Sequence, residues 1–161
     1  MNSFDELLPK QVVELLSEKG FTISSAESCT GGLFAKLITD IPGSSAVLNE
    51  SYVTYANAAK SKILGVKEDT LKRFGAVSEQ TVVEMADGLY EVSGAEVCVV
   101  FSGIAGPDGG TLDKPVGTVY SAICFKGKTT AYKLHFDGDR NNVRMSACFE
   151  MLDKIKNLLL F

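Results

Sequence analysis

A single histidine, His135, stands in the whole sequence, so any reaction that needs an imidazole base must pass through that one position. It sits between Leu134 and Phe136 in a stretch that alternates like a strand, and it reads as an ordinary strand residue. Cysteines are few and far apart. Cys29, Cys98, Cys124 and Cys148 form no C-x-x-C pair, which points to neither a zinc site nor a disulfide framework and leaves them as reduced core residues. Asp and Glu are scattered without metal-ligand spacing, so no metal and no cofactor is assigned. No run approaches the roughly 18 apolar residues of a membrane span. The stretch Met1 to Glu6 lacks the basic start and apolar run of a secretory signal, and the chain reads as cytoplasmic. Excess positive charge is missing as well: 16 Lys and Arg stand against 20 Asp and Glu, a formal net charge of -4. That argues against broad nucleic-acid binding while leaving a small anionic ligand open.

What is present suits one globular domain over residues 1–161, long enough to bury about two thirds of its unfolded surface. Asp5 to Lys19 puts Leu7, Leu8, Val12, Leu15 and Leu16 on one helical stripe that stops at Gly20. Gly20 to Ile23 has the content of a short strand, and Leu33, Phe34, Leu37, Ile38 and Ile41 recur at helical spacing. The intervening Ser24 to Gly32, Ser-Ser-Ala-Glu-Ser-Cys-Thr-Gly-Gly, therefore falls on a strand-to-helix junction. Ser51 to Tyr55 reads as a strand running into a helix from Ala56 to Leu64. A short helix follows over Lys67 to Phe74. Ser78 opens a longer one through Ser93, with Ser78, Thr81 and Glu84 as its capping residues. Ala95 to Ile104 is the near-continuous apolar run of a central strand. Gly103 to Gly110 is a glycine-rich loop with little side chain to obstruct a ligand. Gly117 to Phe125 and Thr129 to Phe136 read as an antiparallel hairpin around Lys126-Gly127-Lys128, and Asp139 to Leu160 as a closing helix. This alternation implies an α/β protein, a three-layer α/β/α domain around a mixed sheet.

With histidine and metal chemistry set aside, the economical scheme is a serine activated by a lysine. A free lysine, with a pKa of about 10.4, is neutral in only about one molecule in 2,500 at pH 7, so burial has to lower it. Lys60, in the apolar-leaning run Ala56 to Leu64, suits that better than Lys62 or Lys67, although periodicity does not place it beside a serine. Tyr55 could relay the proton. Cys29, at a helix start where a thiolate is favoured, is a rival nucleophile, and Ser24, Ser25 and Ser28 all remain open on this reading.

Five ordered motifs narrow the choice. Ala26-Glu27-Ser28-Cys29-Thr30-Gly31-Gly32, Thr54-Tyr55-Ala56-Asn57 with Lys60, Gly75-Ala76-Val77-Ser78-Glu79, Ser102 to Gly110, and Lys114-Pro115-Val116-Gly117-Thr118-Val119 resemble the motifs of the CinA carboxy-terminal domain family. The resemblance implies a mixed, mostly parallel sheet of about five strands and assembly as a homo-oligomer. It also implies hydrolysis of nicotinamide mononucleotide to nicotinic acid mononucleotide and ammonia. Ser28 would be the nucleophile, Lys60 its base and Tyr55 an assisting hydroxyl. Amides near Thr30, Gly31 and Gly32 would face the oxyanion. The phosphate of this small nucleotide would rest on the backbone of Gly103, Ile104, Ala105 and Gly106 and on Arg140 or Arg144. Many relatives carry a further amino-terminal domain for which this chain has no room, so a stand-alone form is expected, with neither nucleic acid nor membrane as partner. The alternative is a noncatalytic nucleotide-binding or regulatory domain in which Ser28 only caps a helix.

Overall fold

The computed structural model describes residues 3–161; Met1 and Asn2, part of the stretch read above for a secretory signal, lie outside them. The elements run α1 (Leu8–Lys19), β1 (Ile23–Glu27), α2 (Leu33–Thr39), a 3-10 turn at Ser44–Ala46, β2 (Tyr52–Val53), α3 (Asn57–Leu64), α4 (Glu68–Phe74), α5 (Glu79–Ser93), β3 (Val97–Gly103), β4 (Thr118–Phe125), β5 (Lys128–His135) and α6 (Arg140–Leu160). The five strands form one sheet in the order β2-β1-β3-β4-β5. Pairing is parallel from β2 through β1 to β3 and antiparallel from β3 through β4 to β5.

Strand β3 is apolar on both faces because helices cover both. Val97, Val99 and Phe101 pack with α1, α2 and α6 around Val12, Leu16, Phe34, Met151 and Ile155. Cys98 and Val100 turn to the opposite layer, against Val82, Met85 and Leu89 of α5 and Leu64 of α3. This is the three-layer α/β/α arrangement, and the carboxyl ends of β1 and β3 come together at one edge of it, where parallel sheets open a crevice. No helix among the described residues is long and apolar enough to cross a membrane.

Three local expectations need correction. Strand β1 lies over Ile23–Glu27, displaced from Gly20–Ile23, because its polar side chains find partners inside. Ser24 Oγ donates to Glu50 O at 2.7 Å and Ser25 Oγ to Glu27 Oε2 at 3.0 Å. Ser78 does cap α5, its Oγ accepting from Thr81 N–H, but Glu84 faces α4 instead, accepting from Lys67 N–H at 2.8 Å and Thr70 Oγ at 2.6 Å. The hairpin turns on Lys126 and Gly127 alone, at φ 50° and 86°, the paired positive values that match the twist of the flanking strands.

Candidate active site

Ser28 is the first residue beyond β1, and its N–H donates to Phe101 O at 3.0 Å, which holds it against the central strand. Lys60, in the first turns of α3, is only 1% exposed. Its Nζ donates to Thr54 O at 2.8 Å and Tyr55 O at 3.0 Å and lies 3.0 Å from Ser28 Oγ. A tetrahedral nitrogen with two hydrogens on the two carbonyls has one hydrogen-bonding direction left, and Ser28 Oγ occupies it. In the neutral amine that direction carries the lone pair, so the serine hydroxyl can donate to it.

Burial pushes the Lys60 pKa below its ordinary value of 10.5, opposed by the nearby Cys29 sulfur. Burial also raises the Cys29 thiol to about 12. The thiol is then uncharged near neutrality, so its opposition to Lys60 lapses there. The same shift disfavours the thiolate that a cysteine nucleophile needs. His135 sits on β5 beside Asp137, at 3.4 Å, away from the cleft.

Tyr55 contributes differently from expectation. Its side chain is 60% exposed, and its hydroxyl accepts from Arg140 Nη2 at 3.4 Å. The atom that meets the Ser28–Lys60 pair is the backbone carbonyl, 3.3 Å from Ser28 Oγ. Arg140, the first residue of α6, also donates through Nη1 to Gly106 O at 2.7 Å, so it bridges the glycine-rich loop and Tyr55 across the mouth. Arg144, expected as a phosphate anchor, is instead a strut: Nε donates to Cys29 O at 3.0 Å and Nη2 to Thr30 O at 2.8 Å. A trans peptide points its N–H opposite its C=O, so holding Cys29 O turns the Thr30 N–H away from Arg144.

The helix start is not an open anion site. The Phe34 and Ala35 amides of α2 donate to the Glu27 carboxylate at 2.9 and 3.1 Å, the Gly31 N–H is taken by Ser28 O, and Gly32 is the N-cap without a side-chain bond. Thr30 Oγ1 is buried without a partner among the described residues, so it does not cap the helix. The Cys29, Thr30 and Gly32 N–H groups donate to no backbone acceptor in the turn, and of these Cys29 and Thr30 directly follow Ser28. Within the glycine-rich loop Ile104 is spent on both sides, its N–H on Thr118 O and its C=O on Gly117 N–H, whereas Gly103 and Ala105 line the cleft.

The cleft has a volume of about 220 Å³. Besides the residues above it is walled by Asn57, Ala76, Val77 and Ser102, none of which the sequence singled out as a site residue. Ser102 Oγ donates to Ala76 O at 2.8 Å and so holds that wall against β3. Ser102 at the end of the buried run just before the glycine loop was a usable signal; Ala76 and Val77 stand in the Gly75 to Glu79 motif, but as small apolar residues between helices they suggest no chemistry of their own. Lys60 and Arg140 line the cleft, and among the described residues no Asp or Glu does. A larger groove of about 980 Å³ lies between the starts of α1 and α6, but Glu6, Asp40, Asp137 and Asp139 line it without Lys or Arg, and it would repel an anion.

The CinA C-terminal domain family matches residues 5–159. The nicotinamide-nucleotide amidohydrolase PncC of Enterobacter agglomerans is 53% identical over 141 residues, 87% of this chain and 86% of that protein. A CinA-like protein of Kosmotoga olearia is 49% identical over 97% of this chain, which spans only 38% of that protein's length. The crystal structure of the competence/damage inducible protein CihA from Agrobacterium tumefaciens superposes with a TM-score of 0.91 at 40% identity, covering 100% of both chains.

Proposed function

Because the chain belongs to the CinA C-terminal domain family, we propose that it is an amidohydrolase that converts nicotinamide mononucleotide to nicotinic acid mononucleotide and ammonia. The similarity to the PncC amidohydrolase supports the reaction class. The observation that carries the mechanism is the 3.0 Å approach of Lys60 Nζ to Ser28 Oγ. Neutral Lys60 takes the Ser28 proton as Oγ bonds to the carboxamide carbon, and the developing oxyanion is met by the Cys29 and Thr30 amides. Lys60 returns the proton to the nitrogen as the C–N bond breaks and ammonia leaves. Water then attacks the ester as Lys60 takes its proton, and Lys60 returns a proton to Ser28 Oγ as the ester C–O bond breaks, releasing the acid and restoring the Ser28 hydroxyl and the neutral amine.

The lining selects among amides. Arg140, which stays charged when Lys60 is neutral, together with the lack of a lining carboxylate favours an anionic substrate, and an amino-acid amide such as glutamine would find no acid for its ammonium group. Ala76 and Val77 offer an apolar wall to a flat ring, while Arg140, at the mouth, is the phosphate anchor. Replacing Arg140 with alanine is expected to raise KM about 10- to 100-fold with kcat changed far less, read from steady-state ammonia release; an unchanged KM moves the phosphate elsewhere.

The pH dependence follows from the direction of the Lys60 shift. Activity needs the neutral amine, so kcat/KM rises with pH along a limb whose midpoint lies below 10.5. Between that midpoint and 10.5 the unfolded chain binds more protons than the folded one, so stability also rises with pH across the same window. A midpoint at or above 10.5 in the rate profile would remove the burial argument. The deciding test of the whole reading is ammonia release from nicotinamide mononucleotide by the purified protein. None above background leaves a nucleotide-binding domain without this activity.

A further inference from the structure

We infer that Glu27 is a positioning residue for the Ser28 reaction, an inference that rests on the function proposed above. Glu27 ends β1 immediately before Ser28 and is fully buried. Its Oε1 accepts from Phe34 N–H at 2.9 Å, and its Oε2 accepts from Ala35 N–H at 3.1 Å and Ser25 Oγ at 3.0 Å. A carboxyl group taken out of water is retained only with such a full set of partners, and here the partners are the two ends of one turn. The chain leaves β1 at residue 27, passes through Ser28, Cys29 and Thr30, and is tied back to residue 27 at the first turn of α2. Arg144 holds the Cys29 and Thr30 carbonyls of the same turn.

The Glu27 backbone extends the connection to the base. Its C=O accepts from Thr54 N–H at 2.9 Å, and Thr54 O accepts from Lys60 Nζ at 2.8 Å. One residue thereby links the nucleophile's turn, the peptide that orients the lysine and the start of α2. Its side chain occupies the helix amides that would otherwise be free, and it aims the Cys29 and Thr30 N–H groups without touching substrate.

The test is Glu27→Gln, in which the side-chain NH2 must face one of the amide donors. We expect a folded enzyme whose kcat for nicotinamide mononucleotide falls about 100-fold with KM within about threefold. Ser25→Ala, which removes one of the three donors, gives the same split at about fivefold. Ile38→Ala, a core truncation in α2 away from the turn, is the stability control and leaves kcat within about threefold. A second readout needs no nucleotide: the rate at which a fluorophosphonate labels Ser28, where the Oγ–P bond forms, fluoride leaves and Lys60 takes the proton. Glu27→Gln slows this labelling by at least about tenfold. Labelling at the wild-type rate in folded Glu27→Gln overturns the inference, as does an equal slowing in Ile38→Ala. If Glu27→Gln does not fold, Ser25→Ala decides alone, and wild-type kcat and labelling in it overturn the inference. A wild type that labels Ser28 but releases no ammonia overturns the substrate while leaving Glu27 to be judged on labelling; a wild type that does neither overturns the Ser28–Lys60 mechanism and this inference with it.

Discussion

Lys60→Arg is expected to be as inactive as Lys60→Met, each losing about four orders of magnitude in kcat. In the proposed mechanism the charge at position 60 is not what the reaction uses. The amine has to be neutral, and a guanidinium stays protonated throughout the accessible pH range. Arginine would also bring five donors into a space where two carbonyls and one hydroxyl receive the Lys60 nitrogen. Ser28→Ala should fall equally far, and Ser28→Ala with Lys60→Met no further, because the two act as one unit. Ammonia release under single-turnover conditions checks this. A Lys60→Arg enzyme keeping more than about a tenth of wild-type turnover would rule out lysine as the base.

Gly88→Ala is expected to cost about 2 kcal/mol or more and to lower Tm by roughly 4–8 °C. In an open helix this change would gain about 1 kcal/mol from alanine's propensity. Here the added Cβ would stand 1.8 Å from Leu64 O and 2.7 Å from Leu64 C, backbone atoms that cannot rotate aside, so the clash outweighs the propensity. Gly20, at φ 66° with nothing within 4 Å of its Cβ position, makes the comparison: alanine there pays only the left-handed backbone term, about 1–2 kcal/mol. The Gly88 change reaches the site as well. Leu64 ends α3 one turn beyond Lys60, and pushing that end away from α5 moves Lys60 relative to Ser28. Thermal melts and kcat on the folded fraction separate the two effects. A Gly88→Ala protein at least as stable as wild type would show that α3 and α5 can separate freely.

The residues differ in how much of their role the linear order carries. Ser28 and Lys60 belong to recognisable motifs, and a lone strand histidine with no metal-ligand spacing leaves them the economical pair. The turn chemistry was harder to read. A Ser-Cys-Thr-Gly-Gly run before an apolar helix looks like a helix start with free amides, yet Glu27 fills those amides from the strand side. Arg140 and Arg144 lie one turn apart and look equivalent in sequence. Packing separates them, with one reaching the mouth and the other spent on Cys29 O and Thr30 O. The β1 boundary slipped for a related reason: buried Ser24, Ser25 and Glu27 read as loop until their partners from other segments are known.

The sequence by itself determined the layer order and limited the chemistry that can be proposed. Apolar periodicity is a local property that survives without coordinates, and the absence of a second histidine or a metal set leaves few schemes for an amide. The tertiary structure decided how near Ser28 stands to Lys60, which part of Tyr55 meets them, and which amides stay free. Those depend on contacts between segments far apart in the chain, such as Ser28 with Tyr55 and Lys60 and Cys29 with Arg144. The Ser24 to Gly32 stretch thus becomes a strand end and a turn, whose Glu27 carboxylate takes the Phe34 and Ala35 amides of α2 while its own Cys29 and Thr30 amides keep no backbone acceptor. Periodicity records which face a residue buries, and only the folded chain records what that face meets.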